Sequence, residues 1–417
     1  MLDTANHVAP AVKVTRETLE SVLTTLPFIA RQALKLASRI EYGSLTLRLP
    51  DGRGFVFEGA QKGPDAEMII HDYAFAKRMM TGGDIGVAES FLRGEWETKD
   101  LTVFLQLFAA NHHLISMMLE GRAIIRYWQL FRHWLNRNTK SGSKRNIHAH
   151  YDLGNAFYTQ WLDPTMTYSS ALFETPEKDL QSGQTAKYAA LARETKIGSN
   201  DSVLEIGCGW GGFAEFAAKE IGCRVTGLTI SQEQFDYAKK RIFDAGLNEK
   251  VEIKLQDYRD EFGLYDRIAS IEMFEAVGEQ YWPIYFETIA CCLKQNGKAC
   301  IQTIVIAENL FDRYRKSTDF IQQYIFPGGM LPSREAFKHY AQQAGLQVEC
   351  EFAFGHDYAK TLCIWYEHFN QKLPEIRELG FDEPFIRLWN FYLMYCVAGF
   401  KEQNIDVVQF TLSHQPK

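Results

Sequence analysis

The sequence predicts an α/β chain: a mainly parallel sheet with helices between its strands, preceded by a smaller α+β domain. Two changes of pattern carry this. From Val203 onward, apolar strands at Ser202–Ile206, Arg224–Leu228, Val251–Leu255, Arg267–Ser270 and Lys298–Val305 alternate with helical stretches. That spacing implies right-handed βαβ crossovers. Before residue 100 the order is instead a helix over 16–40, a strand Ser44–Leu49, an Asp51-Gly52 turn and Gly54–Phe57. Glu67–Ile70, a helix-like segment, the glycine-rich Thr81–Gly86 and Glu89–Trp96 complete a small α+β unit.

Between these parts, Leu101 to about Leu135 is helical in period and rich in aromatics. Gly121–Asn146 holds seven Lys or Arg and no Asp or Glu, and it ends in a small, charged linker, Thr139–Lys144. The expected organisation is therefore 1–120 as a small α+β domain, 121–146 as a basic helix and linker, and 147–417 as the catalytic domain, with a helical excursion around 311–345. With Tyr127, Trp128, Phe131 and Trp134 among its arginines, the basic segment suits a surface helix facing anionic headgroups. It suits equally a solvated helix whose aromatics pack on the protein.

Length and charge narrow the function. At 417 residues the chain is long for one domain. Its 45 basic and 52 acidic residues lack the basic surplus of a nucleic-acid binder. The eight cysteines form no C-x-x-C pair and are spread through the chain, which favours a reducing, cytoplasmic home. No apolar run is long enough to span a bilayer and no N-terminal leader is evident. Membrane contact, if any, is expected to be peripheral, at the inner face.

The strand Ser202–Ile206 runs into Gly207-Cys208-Gly209-Trp210-Gly211-Gly212 and then a helix near Phe213. Glycines there let a ligand approach the backbone at the strand ends, where open α/β sheets bind. Glu205 precedes the turn, while the next strand ends in Leu228-Thr229-Ile230-Ser231 without the acid that a nicotinamide enzyme uses for its ribose.

The E-x-G-C-G-x-G turn resembles the first motif of class I, Rossmann-like methyltransferases. Adding His150–Asn155, Leu162–Ser169, Leu228–Gln234, Gln256–Arg259, Met273–Glu275, Tyr324–Gly329 and Trp365–Glu367, the chain from about 145 to 410 resembles the cyclopropane fatty acid synthases. The resemblance implies S-adenosylmethionine as cofactor. Tyr168 and Ser169 would close over it, Gly207, Gly209 and Gly211 would form its floor beside Glu205, Thr229 and Gln234 would hold the ribose side, and Asp257 and Tyr258 the adenine. No metal site is expected. The resemblance is looser over 1–120, where the family implies a lipid-handling domain.

An alkene must attack the sulfonium methyl with its π electrons, leaving a cation on the neighbouring chain carbon. Ring closure then needs a positioned base, and water must be excluded. In this family the resemblance implies a bound bicarbonate ion as that base. Glu275 and Tyr358 match two of its holders, while Ser170 stands in place of a cysteine, Gln302 in place of a histidine, and Ala276 in place of a histidine after the glutamate. A hydroxyl and a carboxamide can still donate to an oxyanion; the alternative is Glu275 itself as the base. Cys396 matches a cysteine proposed as catalytic, although no step needs a thiolate and packing is the simpler role.

The expected function is transfer of a methylene unit to the double bond of an unsaturated acyl chain of a membrane phospholipid, forming a cyclopropane. C-methylation without ring closure and a non-catalytic lipid-binding protein are the alternatives. The expected partners are that phospholipid and a second copy of the chain in a homodimer, with no nucleic acid.

Overall fold

The computed structural model describes residues 11–15, 17–112, 153–175 and 178–416. The basic segment 121–146 lies outside them. The described residues form two compact units, one of residues up to 112 together with Phe381–Glu402, the other of residues from 153 to 380 together with Gln403 onward.

In the first unit, strands β1 (Val12–Lys13), β2 (Tyr42–Arg48), β3 (Gly54–Glu58), β4 (Gln61–Ile70) and β5 (Trp96–Glu97) make a sheet ordered β1-β3-β2-β4-β5. Inward residues alternate along it, Leu45 and Leu47 on β2, Phe55 and Phe57 on β3, Met68 and Ile70 on β4, all buried. Helices Phe28–Ala37, Ala74–Gly82 and Leu101–Ala110 bring Leu34, Phe75, Met79 and Leu107 to this unit's core. A small apolar cleft lies there, lined by Leu34, Leu45, Met68, Phe75, Met79 and Leu107 among others. The helix predicted over 16–40 is broken into Leu19–Thr24 and Phe28–Ala37, because Pro27 supplies no N–H and fits only at a helix start.

Helix Glu383–Lys401, within the stretch 147–417 expected as the catalytic domain, packs with this unit. Its apolar stripe finds its partners on helices Asp84–Leu92 and Leu101–Ala110. Thr102 donates to Met394 Sδ at 2.8 Å, the rings of Phe91 and Phe391 lie 5.6 Å apart, and Arg387 donates to the Phe91 carbonyl at 2.8 Å while covering its ring.

The second unit is built on a seven-stranded sheet ordered β11-β12-β10-β9-β6-β7-β8. Strands β6 (Ser202–Ile206), β7 (Arg224–Thr229), β8 (Val251–Leu255), β9 (Tyr265–Ile271) and β10 (Leu293–Ile306) are mutually parallel. β12 (Ile405–His414) pairs antiparallel with both β10 and β11 (Leu346–Ala353). Val203, Leu204 and Ile206 on β6, Ile268 and Ala269 on β9, and Ile301 on β10 are all but inaccessible, as expected for a parallel sheet covered on both faces. Within the predicted excursion lie helices Glu308–Tyr314, Phe320–Tyr324 and Arg334–Gln343.

Candidate functional site

Strand β6 delivers its chain into the glycine turn. Gly207, Gly209 and Gly211 take φ values of 81°, 51° and 82°, a region open to glycine at little cost. The Gly207 and Cys208 amides both donate to the Leu228 carbonyl, at 3.0 and 2.8 Å, which pins the turn against the end of β7. A Cβ built on Gly209 would meet nothing within 4 Å, so the turn faces open space. It is over this turn that the resemblance expects the cofactor's methionine end and ribose.

Asn155 accepts from the Trp210 indole at 2.7 Å, and Arg241 donates to the Thr165 carbonyl at 2.6 Å while pairing with Glu215. Residues from three quoted motifs thus brace one loop. Glu205 is buried beneath the turn and accepts from the Ala214 amide, and its burial drives its carboxyl well above the usual range. It supports the loop from below. At the end of β7, Thr229 donates to Gln234 Oε1 at 2.9 Å, so the two residues expected on the ribose side meet. Asp257 is engaged by Arg259 through two bonds of 2.8 and 2.6 Å, and burial raises the neighbouring Tyr258 hydroxyl. The turn, the end of β7 and the end of β8 lie at the carboxyl ends of neighbouring parallel strands, as the fold requires for a ligand.

Tyr168 and Ser169 part company. The Tyr168 ring packs among Tyr158, Trp161 and Trp365, with centroids 5.5, 5.7 and 5.3 Å away. The Ser169 hydroxyl accepts from Lys187 Nζ at 2.6 Å. Lys187 is fully buried, also donates to Gln184 Oε1 at 2.6 Å, and is lowered by that burial to about 7.

The groups expected around a bicarbonate ion do converge, but on a residue the sequence reading passed over. Gln302 on β10 donates to Glu272 Oε1 at 2.8 Å, the Ser170 amide donates to the same oxygen at 2.9 Å, and Tyr358 donates to Oε2 at 2.6 Å. The Ser170 hydroxyl, expected to donate to the anion, turns away to the Ala171 carbonyl at 2.9 Å, so the contribution of this residue is its backbone. Gln409 fixes Gln302 by donating to its Oε1 at 3.0 Å. Thr361 accepts from the Ala171 amide and Asp357 from that of Phe173, which ties the 170–173 loop to the helix Gly355–Gln371 that carries Tyr358.

Glu272 follows β9 directly and holds φ at 50°. For a residue with a side chain this costs roughly 1–2 kcal/mol, offset here by three hydrogen bonds to its carboxylate. Glu275 lies one turn on. Its Oε1 accepts from the Ile304 amide at 2.5 Å, and its Oε2 is buried with no hydrogen-bond partner among the described residues. Burial, then the charge of Glu272, push Glu275 up to about 8, so it is mostly protonated at neutral pH. Burial also raises Glu272, opposed first by Lys187 and then by its three donors.

Bicarbonate therefore does not fit as expected. Its three donors are spent on Glu272, and the ion would add a negative charge beside two carboxyl groups. Cys396 lies half-buried on helix Glu383–Lys401 in the first unit. Sequence reasoning missed Glu272 and Lys187. An acid placed immediately after an apolar strand, in Ile271-Glu272-Met273, was the available signal for the first; Lys187, inside an ordinary helical run, gave none.

Residues 138–410 match the family described as mycolic acid cyclopropane synthetase. A tuberculostearic acid methyltransferase of Mycobacterium tuberculosis is 37% identical, over 88% of this chain and 88% of its own. A cyclopropane-fatty-acyl-phospholipid synthase of Escherichia coli is 33% identical, over 84% and 88% respectively. The crystal structure of a mycolic acid cyclopropane synthase complexed with SAH and CTAB superimposes with a TM-score of 0.61 at 30% identity, covering 64% of this chain and 97% of that one.

Proposed function

The chain belongs to the mycolic acid cyclopropane synthetase family and is an S-adenosylmethionine-dependent methyltransferase of that kind, and from this premise we propose that it transfers a one-carbon unit to the double bond of an unsaturated phospholipid acyl chain and closes it to a cyclopropane. The observation that carries the reading is a buried, hydrogen-bonded carboxylate, Glu272, in the same unit as the glycine cradle and an aromatic group of Tyr158, Trp161, Tyr168 and Trp365. S-adenosylmethionine, when bound, supplies a methyl that an alkene's π pair takes from sulfur, leaving a neutral thioether and a cation on the neighbouring chain carbon.

The chain's own residues meet the needs of that cation. Aromatic faces stabilise it without bonding to it, by about 0.5–2 kcal/mol per ring. Burial around Ser169, Ser170 and Gln302 keeps out the water that would trap it as an alcohol. A carboxylate among these groups can take a proton but, being held by three donors, is poorly placed to form an ester. The apolar cleft of the first unit supports a lipid-handling role for that unit. Among the described residues no helix is long and apolar enough to cross a membrane, so substrate would be met by peripheral contact.

A second reading is favoured by the same carboxylate. Both oxygens of that carboxylate are engaged by donors, and where it is slow to take the methyl proton, hydride migrates first from the methylated carbon to its cationic neighbour. Loss of a methyl proton would then give a methylene-branched chain, which only a separate reductase, supplying hydride and a proton, would convert to a methyl-branched one; the mycobacterial relative is likewise named a methyltransferase. Incubation with a methyl-labelled cofactor and unsaturated phospholipid, followed by mass spectrometry and proton spectra of the lipid, tests both. Gain of CH2 with loss of olefinic signals supports the ring; gain of CH2 with new vinylidene protons supports the second reading. Unlabelled lipid would refute both.

A further inference from the structure

We propose that Glu272 is itself the base for the transferred methyl, standing where the resemblance gives a bicarbonate ion; this rests on the one-carbon transfer proposed above. Donors from three separate places, the 170–173 loop, β10 and the helix Gly355–Gln371, meet on the two oxygens of one side chain at 2.6–2.9 Å. An external anion would need those same donors.

The backbone agrees. Glu272 holds a positive φ that glycine would adopt more readily. Such a conformation persists where the surroundings over-determine it, and it clusters at functional sites.

Charge separates the two glutamates. The groups acting on Glu272 are Lys187, Tyr358, the Ser170 amide and Gln302, all favouring its anion. Glu275 has no cation among the groups acting on it and feels the negative charge of Glu272. Two neighbouring buried carboxyls cannot both ionise readily, and the three donors on Glu272, against the single backbone donor on Glu275, favour the free electron pair on Glu272. In the step itself a C–H bond of the new methyl breaks. Its electron pair forms the carbon–carbon bond to the cationic carbon, and the proton ends on the Glu272 carboxylate. That proton is lost to solvent before the next turnover.

The test compares the parent with Glu272→Gln and Glu272→Gly in argon-stripped buffer, with and without added bicarbonate, on vesicles of unsaturated phosphatidylethanolamine and phosphatidylglycerol with methyl-labelled cofactor. The parent is expected to label lipid equally well in both buffers. Glu272→Gln should lose about 100-fold or more in turnover, the scale of a lost general base, while binding S-adenosylhomocysteine as the parent does by calorimetry. Glu272→Gly suits the backbone and leaves the three donors facing a void. It should be inactive in stripped buffer and recover when bicarbonate is added, and 13C-bicarbonate should show line broadening with it but not with the parent. A parent that fails in stripped buffer, a Glu272→Gln that turns over normally, or broadening of bicarbonate by the parent would each overturn the proposal. If the parent labels no lipid in either buffer, the transfer reading itself fails, and the bicarbonate spectra of parent and Glu272→Gly still decide whose carboxylate fills the anion pocket.

Discussion

From a fully enclosed position, the Lys187 ammonium donates to the Ser169 hydroxyl at 2.6 Å, joining a buried cation to the loop expected over the cofactor. Lys187 is also the foremost charge favouring ionised Glu272. Lys187→Met keeps the stem and removes the charge. Without it the Glu272 carboxyl should hold its proton more tightly, so the acid limb of the pH–rate profile should move to higher pH by about one unit, the lower end of the effect of a nearby opposite charge. The rate of lipid labelling between pH 5 and 9 reads this out. A limb that stays in place would mean that Lys187 serves packing alone.

Gly209→Val should weaken binding of S-adenosylhomocysteine at least tenfold by calorimetry. The added side chain points into the open face of the turn, and its backbone must hold a φ of 51°. Stability should fall by only about 1–2 kcal/mol. Unchanged affinity in a folded protein would remove the glycine turn from the cofactor site.

The carboxyl of Glu275 links stability to pH. Folded, it sits at about 8, above its ordinary 4.5, because burial and Glu272 disfavour its charge. The folded state thus holds a proton that the unfolded chain releases between these values. Its contribution to stability is fully present below about 4.5 and is lost as pH rises through 8. Glu275→Gln cannot ionise, so it should melt higher relative to the parent at pH 9 than at pH 5, and scanning calorimetry at the two values checks this. Equal differences at both would show that the parent's carboxyl does not titrate in this window.

In the first unit, Asn111 is fully buried and makes four bonds from one side chain. It accepts from the Glu41 and Tyr42 amides at 2.9 and 3.1 Å and donates to the Tyr42 and Leu107 carbonyls at 2.9 and 2.8 Å. It therefore ties the end of a helix to the start of β2. Asn111→Ala should cost about 2–3 kcal/mol, since backbone groups are left without partners in the interior. Urea unfolding followed by tryptophan fluorescence measures it; a loss below about 0.5 kcal/mol, the low end for one ordinary bond, would show that water replaces the amide.

What could be read from sequence tracks how local the determining physics is. Buried parallel strands announce themselves as short apolar runs, so β6, β7, β8 and β9 fall within about two residues of expectation. β10 begins at Leu293 instead of Lys298, because Gln295-Asn296-Gly297 reads as a turn while the chain accommodates it as an irregularity in pairing. β4 starts at Gln61, well before Glu67, since its first residues are polar and largely exposed and carry no apolar alternation. In the site, the types Gln302, Tyr358 and Glu275 were legible from their motifs. Their target was not. Choosing between glutamates three residues apart depends on how the chain leaves β9, a positive φ that no periodicity encodes, and on which atom of Ser170 faces inward.

The course of the chain near its far end bears on how the protein is made. Helix Glu383–Lys401 completes the first unit, and β12, only a few residues later, completes the sheet of the second by pairing with β10 from Ala299 to Ile306. During synthesis, therefore, neither unit can finish folding before residues 383–414 emerge. Until then the nascent chain exposes an open sheet edge and the apolar face awaiting that helix, the kind of surface that chaperones cover. A truncation at residue 380 would leave both units unfinished at once, and the N-terminal segment, although it holds a whole sheet, would not be a domain that can be expressed alone.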